Sequence, residues 1–275
     1  MRLHDEWVTY DSDGDAVRAY EAWPDHGTEP LPAIIVIMEV WGVDGHIQDL
    51  VRRFATAGYL AFAPELYSHG GLEPEALGQT RIDAVKAFRD SLPPAVWDHA
   101  AQRDAALARV PEAHRAELRE TMGLLFTSNR PWEQYVADLR AAVSHVREHP
   151  RHRGARIGAS GYCLGGALSG RLATAEPSLS AAAIYYGAAP PADHLSSIQC
   201  PVIGFYGGDD PRITEGVPAF AAAMKGADKS FEYHVYPGAP HAFFNDERRS
   251  YRVGPSRDAW ARTLAFFATH LGTAA

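Results

Sequence analysis

Cysteine is almost absent from this chain. Only Cys163 and Cys200 occur among 275 residues, which excludes a fold held by a disulfide framework. Long apolar runs are missing as well. No stretch approaches the roughly 18 apolar residues a membrane-spanning helix needs. The start, Met1-Arg2-Leu3-His4-Asp5-Glu6, has no apolar segment of signal-peptide length. A basic excess is lacking too. The formal net charge is −8 and the Lys and Arg residues are scattered. Nucleic acid and an anionic membrane, which both need a basic patch, are therefore not the expected partners. The composition implies a soluble cytoplasmic protein, where free thiols stay reduced.

What is present is a substantial core, with 46% hydrophobic residues, and a regular alternation of strand and helix signals. Residues 7–23 read as two short strands around the turn Asp11-Ser12-Asp13-Gly14-Asp15. Ala33-Ile34-Ile35-Val36-Ile37-Met38 is a β-branched run without polar alternation, as in a parallel strand covered on both faces. Helical spacing follows over 47–57 and ends at Gly58, before a strand at 59–63. Residues 68–131 break the rhythm with Pro74, Pro93, Pro94 and Pro111 around helix-like pieces such as 111–126. This segment reads as a helical excursion or lid. Rhythm returns with a helix at 132–148 and a strand at 156–160. A helix from Leu164 and strands at 180–186 and 202–206 follow. A helix near 217–224, a strand at 231–236 and a closing helix at 256–271 complete the pattern. The alternation implies an α/β class, a doubly wound and mostly parallel sheet with helices on both faces. No repeat or composition shift marks a boundary, so one domain over 1–275 is expected.

The sharpest motif is Gly161-Tyr162-Cys163-Leu164-Gly165, with Gly158 before it and Gly166 after. It has the spacing of the G-x-S-x-G nucleophile elbow, with sulfur in place of oxygen. A tight strand-to-helix turn leaves no room for side chains two residues either side of the nucleophile. The helix that follows aims its first amides at the same place, which favours a thiolate and offers the Leu164 N–H to an oxyanion. The alternative is a structural cysteine in a glycine-rich turn. Downstream residues argue against it. The strand at 202–206 runs into Gly207-Gly208-Asp209-Asp210-Pro211, and the strand at 231–236 into Pro237-Gly238-Ala239-Pro240-His241. Nucleophile, acid and base thus follow in the order this elbow requires, with Asp210 favoured over Asp209. Glu39, directly after the first buried strand, is either a desolvated carboxylate suited to proton transfer or a solvated strand end.

At these residues the chain resembles the dienelactone hydrolase family of α/β-hydrolases, the carboxymethylenebutenolidases. The resemblance rests on Met38-Glu39-Val40-Trp41-Gly42-Val43, the elbow with Gly166, Gly207-Gly208-Asp209-Asp210-Pro211, and Pro237-Gly238-Ala239-Pro240-His241-Ala242-Phe243. It implies the α/β-hydrolase fold and hydrolysis of a small ester or lactone through a thioester, with no cofactor and no metal. Cys163 would be the nucleophile, His241 the base and Asp210 its orienting acid. Glu39 would lie beside the resting thiol and take its proton as substrate binds, and Val40 N–H would be a second oxyanion donor. Family members that act on dienelactone hold the substrate carboxylate with two arginines. One belongs four residues after the histidine, where this chain has Asn245. For the other, Arg81, Arg89 and Arg130 compete. Trp41, Tyr67, Arg81, Phe126, Phe243 and Asn245 are the residues expected around substrate, with core packing the alternative for the aromatics, Trp132 and Tyr186 included.

Other constellations are weaker. His145, His149 and His152 have helical spacing, but Arg147, Arg151 and Arg153 between them would repel a metal ion, so a solvated helix end is expected. Cys200 before Pro201 reads as a small buried hydrophobe. The rival functions are a thioesterase or acyltransferase on the same scaffold and a non-catalytic binding protein.

Overall fold

The computed structural model describes residues 2–27, 29–71, 73–93, 96–97, 99–152 and 154–272; Pro94 and Arg153 lie outside the described residues. The chain divides into two compact units, Met1–Gly71 with Pro131–Ala275, and Leu72–Arg130.

The larger unit is built on an eight-stranded sheet in the order β1-β2-β4-β3-β5-β6-β7-β8. β1 (Leu3–Ser12) and β2 (Asp15–Pro24) form an antiparallel hairpin. It turns through Asp13 and Gly14 at φ 55° and 92°, the left-handed pair that a two-residue hairpin requires. β2 also pairs antiparallel with β4 (Leu60–Pro64). From β4 onward every pairing is parallel, through β3 (Ala33–Ile37), β5 (Ile157–Tyr162), β6 (Ala181–Tyr185), β7 (Val202–Gly207) and β8 (Phe231–Tyr236). β3 to β7 are buried along their whole length, which explains why their sequences do not alternate.

α1 (Gly45–Thr56) begins where Asp44 accepts a hydrogen bond from the Ile47 N–H (3.2 Å). It buries Ile47, Leu50, Val51 and Phe54, and its exit passes through Gly58 at φ 95°. The smaller unit contributes α2 (Gln79–Ser91), α3 (Ala100–Leu107) and α4 (Glu112–Leu125). Within it Arg81 pairs with Glu120 (2.7 Å), and Thr121 donates to the Ala76 carbonyl (2.8 Å). The larger unit continues with α5 (Trp132–Glu148), α6 (Leu164–Ala175), α7 (Val217–Gly226) and α8 (Val253–Leu271).

Neighbouring residues of β6 reveal the layering. Tyr185 Oη shares a hydrogen bond with Thr263 Oγ1 of α8 (2.6 Å). Ile184 points the other way, beside Gly170 of α6. Helices thus cover both faces of the sheet.

The histidines of α5 depart from the expected solvated helix end. His152 is fully buried, with Nδ1 on the Leu31 carbonyl (3.2 Å), and His149 packs edge-on against Trp23 at 5.0 Å. His145 lies against Tyr10 and Phe62. The hairpin folds over this end of the helix, which spacing along α5 alone could not reveal. Burial pushes all three imidazoles down, His149 to about 4, which favours the uncharged form. Among the described residues no helix is long and apolar enough to cross a membrane, and no cluster of three or more His, Cys, Asp or Glu could hold a metal ion.

Candidate active site

β5 ends at Tyr162 and α6 begins at Leu164, so Cys163 alone makes the turn, at φ 55° and ψ −108°. A non-glycine residue in that region costs about 1–3 kcal/mol and persists only where its surroundings over-determine it. Here they are main chain. A Cβ on Gly161 would lie 1.8 Å from the Gly165 carbonyl oxygen, and one on Gly165 would lie 2.1 Å from the Ile37 oxygen. The glycines allow helix and strand to touch backbone to backbone. Gly161→Ala is accordingly expected to lower stability by at least about 3 kcal/mol, because no flexible side chain can move aside. Denaturant midpoints for the two chains test this; a change below about 1 kcal/mol would contradict the close approach.

The ends of β7 and β8 bring the remaining groups to the same place. His241 Nε2 lies 3.2 Å from Cys163 Sγ, and its Nδ1 lies 2.5 Å from Asp210 Oδ2. The two loops are packed together, since the Asp209 N–H donates to the Ala239 carbonyl (3.0 Å). Asp210 is buried while Asp209 is exposed, which separates the two neighbouring acids. Burial alone would pull the His241 imidazole down. The Cys163 sulfur and the Asp210 hydrogen bond outweigh burial and raise it.

Glu39 is 2% exposed, so the solvated strand end is not what forms. Its Oε1 accepts from Tyr186 Oη (3.0 Å) and its Oε2 from Asn245 Nδ2 (2.9 Å). Both oxygens are engaged by these two side chains, and the thiol's hydrogen-bond partner is His241. Burial, then Glu39, keeps the Tyr186 phenol far above its ordinary pKa, so it stays a donor. Val40 belongs to a turn fixed from two sides. Tyr67 Oη donates to its carbonyl (2.9 Å), and Glu65 accepts the Val43 N–H (2.7 Å). Gly42, at φ 77°, leaves room for that carboxylate, which a Cβ would approach to 2.9 Å.

The other expected substrate residues have partners of their own. Trp41 is buried beneath the Arg248 guanidinium, 5.1 Å from its ring. Phe243 is core, packed on Tyr186 and Tyr236. Arg81 and Phe126 belong to the smaller unit, Arg81 paired with Glu120 and Phe126 against Trp97 at 5.5 Å. Asn245 holds Glu39 instead of standing free for substrate. Sequence reasoning missed the pairing of Glu39 with Tyr186 and Asn245, and the anchor of the loop that carries Asn245. That anchor is Asp246, which meets buried His46 Nδ1 at 3.3 Å and Arg53 Nη2 at 2.5 Å.

Burial lowers the His46 imidazole, yet Asp246, Glu39 and Asp44 together leave it raised. A raised histidine contributes stability below its unfolded value of about 6.5, and that contribution fades as pH rises through the folded value. Asp246→Asn is therefore expected to cost about 1 kcal/mol near pH 6, discounted for its exposed side, and less near pH 9. Unfolding midpoints at both pH values check this; a difference independent of pH would rule out the His46 contribution and leave only that of Arg53.

Known proteins agree with this architecture. The pattern of the dienelactone hydrolase family matches residues 17–271. A protein of Saccharolobus solfataricus named "Putative carboxymethylenebutenolidase" is 35% identical over 262 residues, covering 94% of this chain and 96% of its own. Its namesake in Escherichia coli K12 is 32% identical over 275 residues, covering 95% of this chain and 85% of its own. The crystal structure of a "Putative Dienelactone Hydrolase" from Klebsiella pneumoniae aligns with TM-score 0.74 at 30% identity, covering 98% of this chain and 99% of that one. With the mixed sheet, its flanking helices and this coverage, the chain belongs to the dienelactone hydrolase family, carries the α/β-hydrolase fold, and is a carboxylic ester hydrolase.

Proposed function

We propose that the chain hydrolyses small esters or lactones through Cys163 and a thioester intermediate. The observation that carries this reading is the continuous line from Cys163 Sγ to His241 Nε2 (3.2 Å) and from His241 Nδ1 to Asp210 Oδ2 (2.5 Å). His241 takes the thiol proton, and the sulfur attacks the substrate carbonyl carbon. The carbonyl oxygen gains the negative charge and is stabilised by the Leu164 N–H, which a helix start leaves without an internal acceptor, and by the Val40 N–H. The C–O bond then breaks, and the departing oxygen takes the proton from His241. This leaves an acyl group on sulfur. Water attacks next, giving a proton to His241 as its oxygen bonds to carbon. The C–S bond breaks and the sulfur recovers that proton as the acid leaves.

Glu39 in this scheme is held by Tyr186 and Asn245, and His241 receives the proton. The family's arginine four residues after the histidine is Asn245 here, which supports a substrate without a carboxylate at that spot. Rapid quenching with a short aryl ester tests the covalent step. The peptide containing Cys163 is expected to carry the acyl mass during turnover; an unmodified peptide during a burst of product would refute it. Added alcohol acceptors should leave the acid as the main product, and a dominant ester product would make the chain an acyltransferase instead.

A further inference from the structure

Among the described residues the eight-stranded sheet ends in two unpaired edges, β1 on one side and β8 on the other. β1 carries Asp5, Glu6 and Asp11 with no Lys or Arg, and such an edge repels a second copy of itself. β8, Phe231-Glu232-Tyr233-His234-Val235-Tyr236, has none of the usual protection. It holds no Lys or Pro, and its register against β7 is unbroken. Tyr233 and Val235 are each 39% exposed.

Backbone alternation fixes what this edge offers. The Val202 N–H donates to the Ser230 carbonyl and the Gly208 N–H to that of Tyr236, so even-numbered residues of β8 turn their peptide groups towards β7. Phe231, Tyr233 and Val235 turn theirs outward, and among the described residues no main-chain group bonds them. The side chains of these three share one face, where Phe231 stacks on Tyr233 at 5.6 Å. On the opposite face Glu232 Oε1 and His234 Nε2 lie 2.7 Å apart.

An antiparallel pair of β8 strands must set outward residues against outward residues, which leaves three registers inside the strand. A centre on Glu232 puts carboxylate against carboxylate. A centre on His234 puts imidazole against imidazole, and Phe231 against Pro237, which has no N–H to give. A centre on Tyr233 avoids both faults. Tyr233 then faces itself, Phe231 faces Val235, and Glu232 faces His234 of the second copy, twice. The two Glu-His pairs fall at non-hydrogen-bonded positions, where side chains come closest. This register also makes the most main-chain hydrogen bonds, about six.

We infer that β8 is the interface of a two-fold dimer of this chain, pairing antiparallel with β8 of a second copy about Tyr233. The acceptor and donor pattern Glu232-Tyr233-His234 is complementary to itself in that register alone. The contact uses none of Cys163, His241 and Asp210, so it stands or falls apart from the triad.

Sedimentation equilibrium of the full chain tests the assembly, and cross-linking tests the register. The mass should rise from the 30.0 kDa of one chain towards twice that value as concentration approaches about 100 µM. Tyr233→Cys should give a covalent dimer under mild oxidation, because facing Cα atoms about 5.5 Å apart suit a disulfide. Val235→Cys should not, since it faces Phe231 and its own counterpart lies about 13 Å further along. The parent chain, with the same two native cysteines, is the control. His234→Glu should weaken the dimer by about tenfold or more, and Glu232→His added to it should restore the affinity. Tyr233→Pro removes two central donors that bond nothing within one chain, so it should weaken the dimer at least about tenfold. A mass that stays at 30.0 kDa, equal cross-linking at 233 and 235, or a dimer unchanged in His234→Glu or Tyr233→Pro would each overturn the proposal. A chain that stays single yet binds an unrelated extended peptide along β8 would also overturn it, and would assign the edge to a foreign strand. Activity retained in Cys163→Ala would refute the triad and leave these results standing.

Discussion

Turnover of a short aryl ester is expected to fall by about 10,000-fold or more when Cys163 is replaced by alanine. No other thiol can stand in. Cys200 is 6% exposed, and burial pushes it up to about 11, so its thiolate is scarce near neutral pH. Cys163 is only half-buried and is in contact with an imidazole raised above its ordinary value. Iodoacetamide should therefore alkylate Cys163 well before Cys200, and inactivation should track that one modification. Activity retained in Cys163→Ala, or inactivation that follows Cys200, would refute the proposed nucleophile.

Asp210→Asn should lower turnover by about 1,000-fold or more while leaving the fold intact. A carboxylate 2.5 Å from His241 Nδ1 accepts the proton there and leaves Nε2 free to receive one from sulfur. An asparagine amide can present a donor to Nδ1 instead, which moves the ring proton to Nε2 and points it at Sγ. Asp209→Asn is the matched control, because Asp209 is exposed and its N–H, not its carboxylate, ties the two loops. It should change turnover by less than about threefold, the scale of a surface substitution. Similar losses in both variants would mean that the buried acid does not orient the histidine.

Much of this was legible in the sequence, for reasons that can be named. The strands at β3, β6 and β7 announce themselves because a parallel sheet covered on both faces needs unbroken apolar runs, and Ala33-Ile34-Ile35-Val36-Ile37 is one. The elbow is legible because the steric demand of the turn selects glycine at 161 and 165. The convergence of Asp210 and His241 on Cys163 is legible because each follows a strand in a fixed order. The partners of Glu39 were not. Tyr186 is 147 residues away and Asn245 is 206 residues away, and no local spacing encodes their convergence. The α5 histidines misled for a related reason. Flanking arginines suggested solvent, but Tyr10 and Trp23 of a hairpin over 100 residues earlier cover the rings. Local rules describe an element's own faces and say nothing of what folds across them.

The close approaches that shape the turn at Cys163 are between peptide groups of Gly161, Gly165 and Ile37. Position and reactivity at this residue are therefore separable properties. A serine introduced there would inherit the same location and orientation from its surroundings. Any rate difference between the two chains would then report chiefly on sulfur against oxygen.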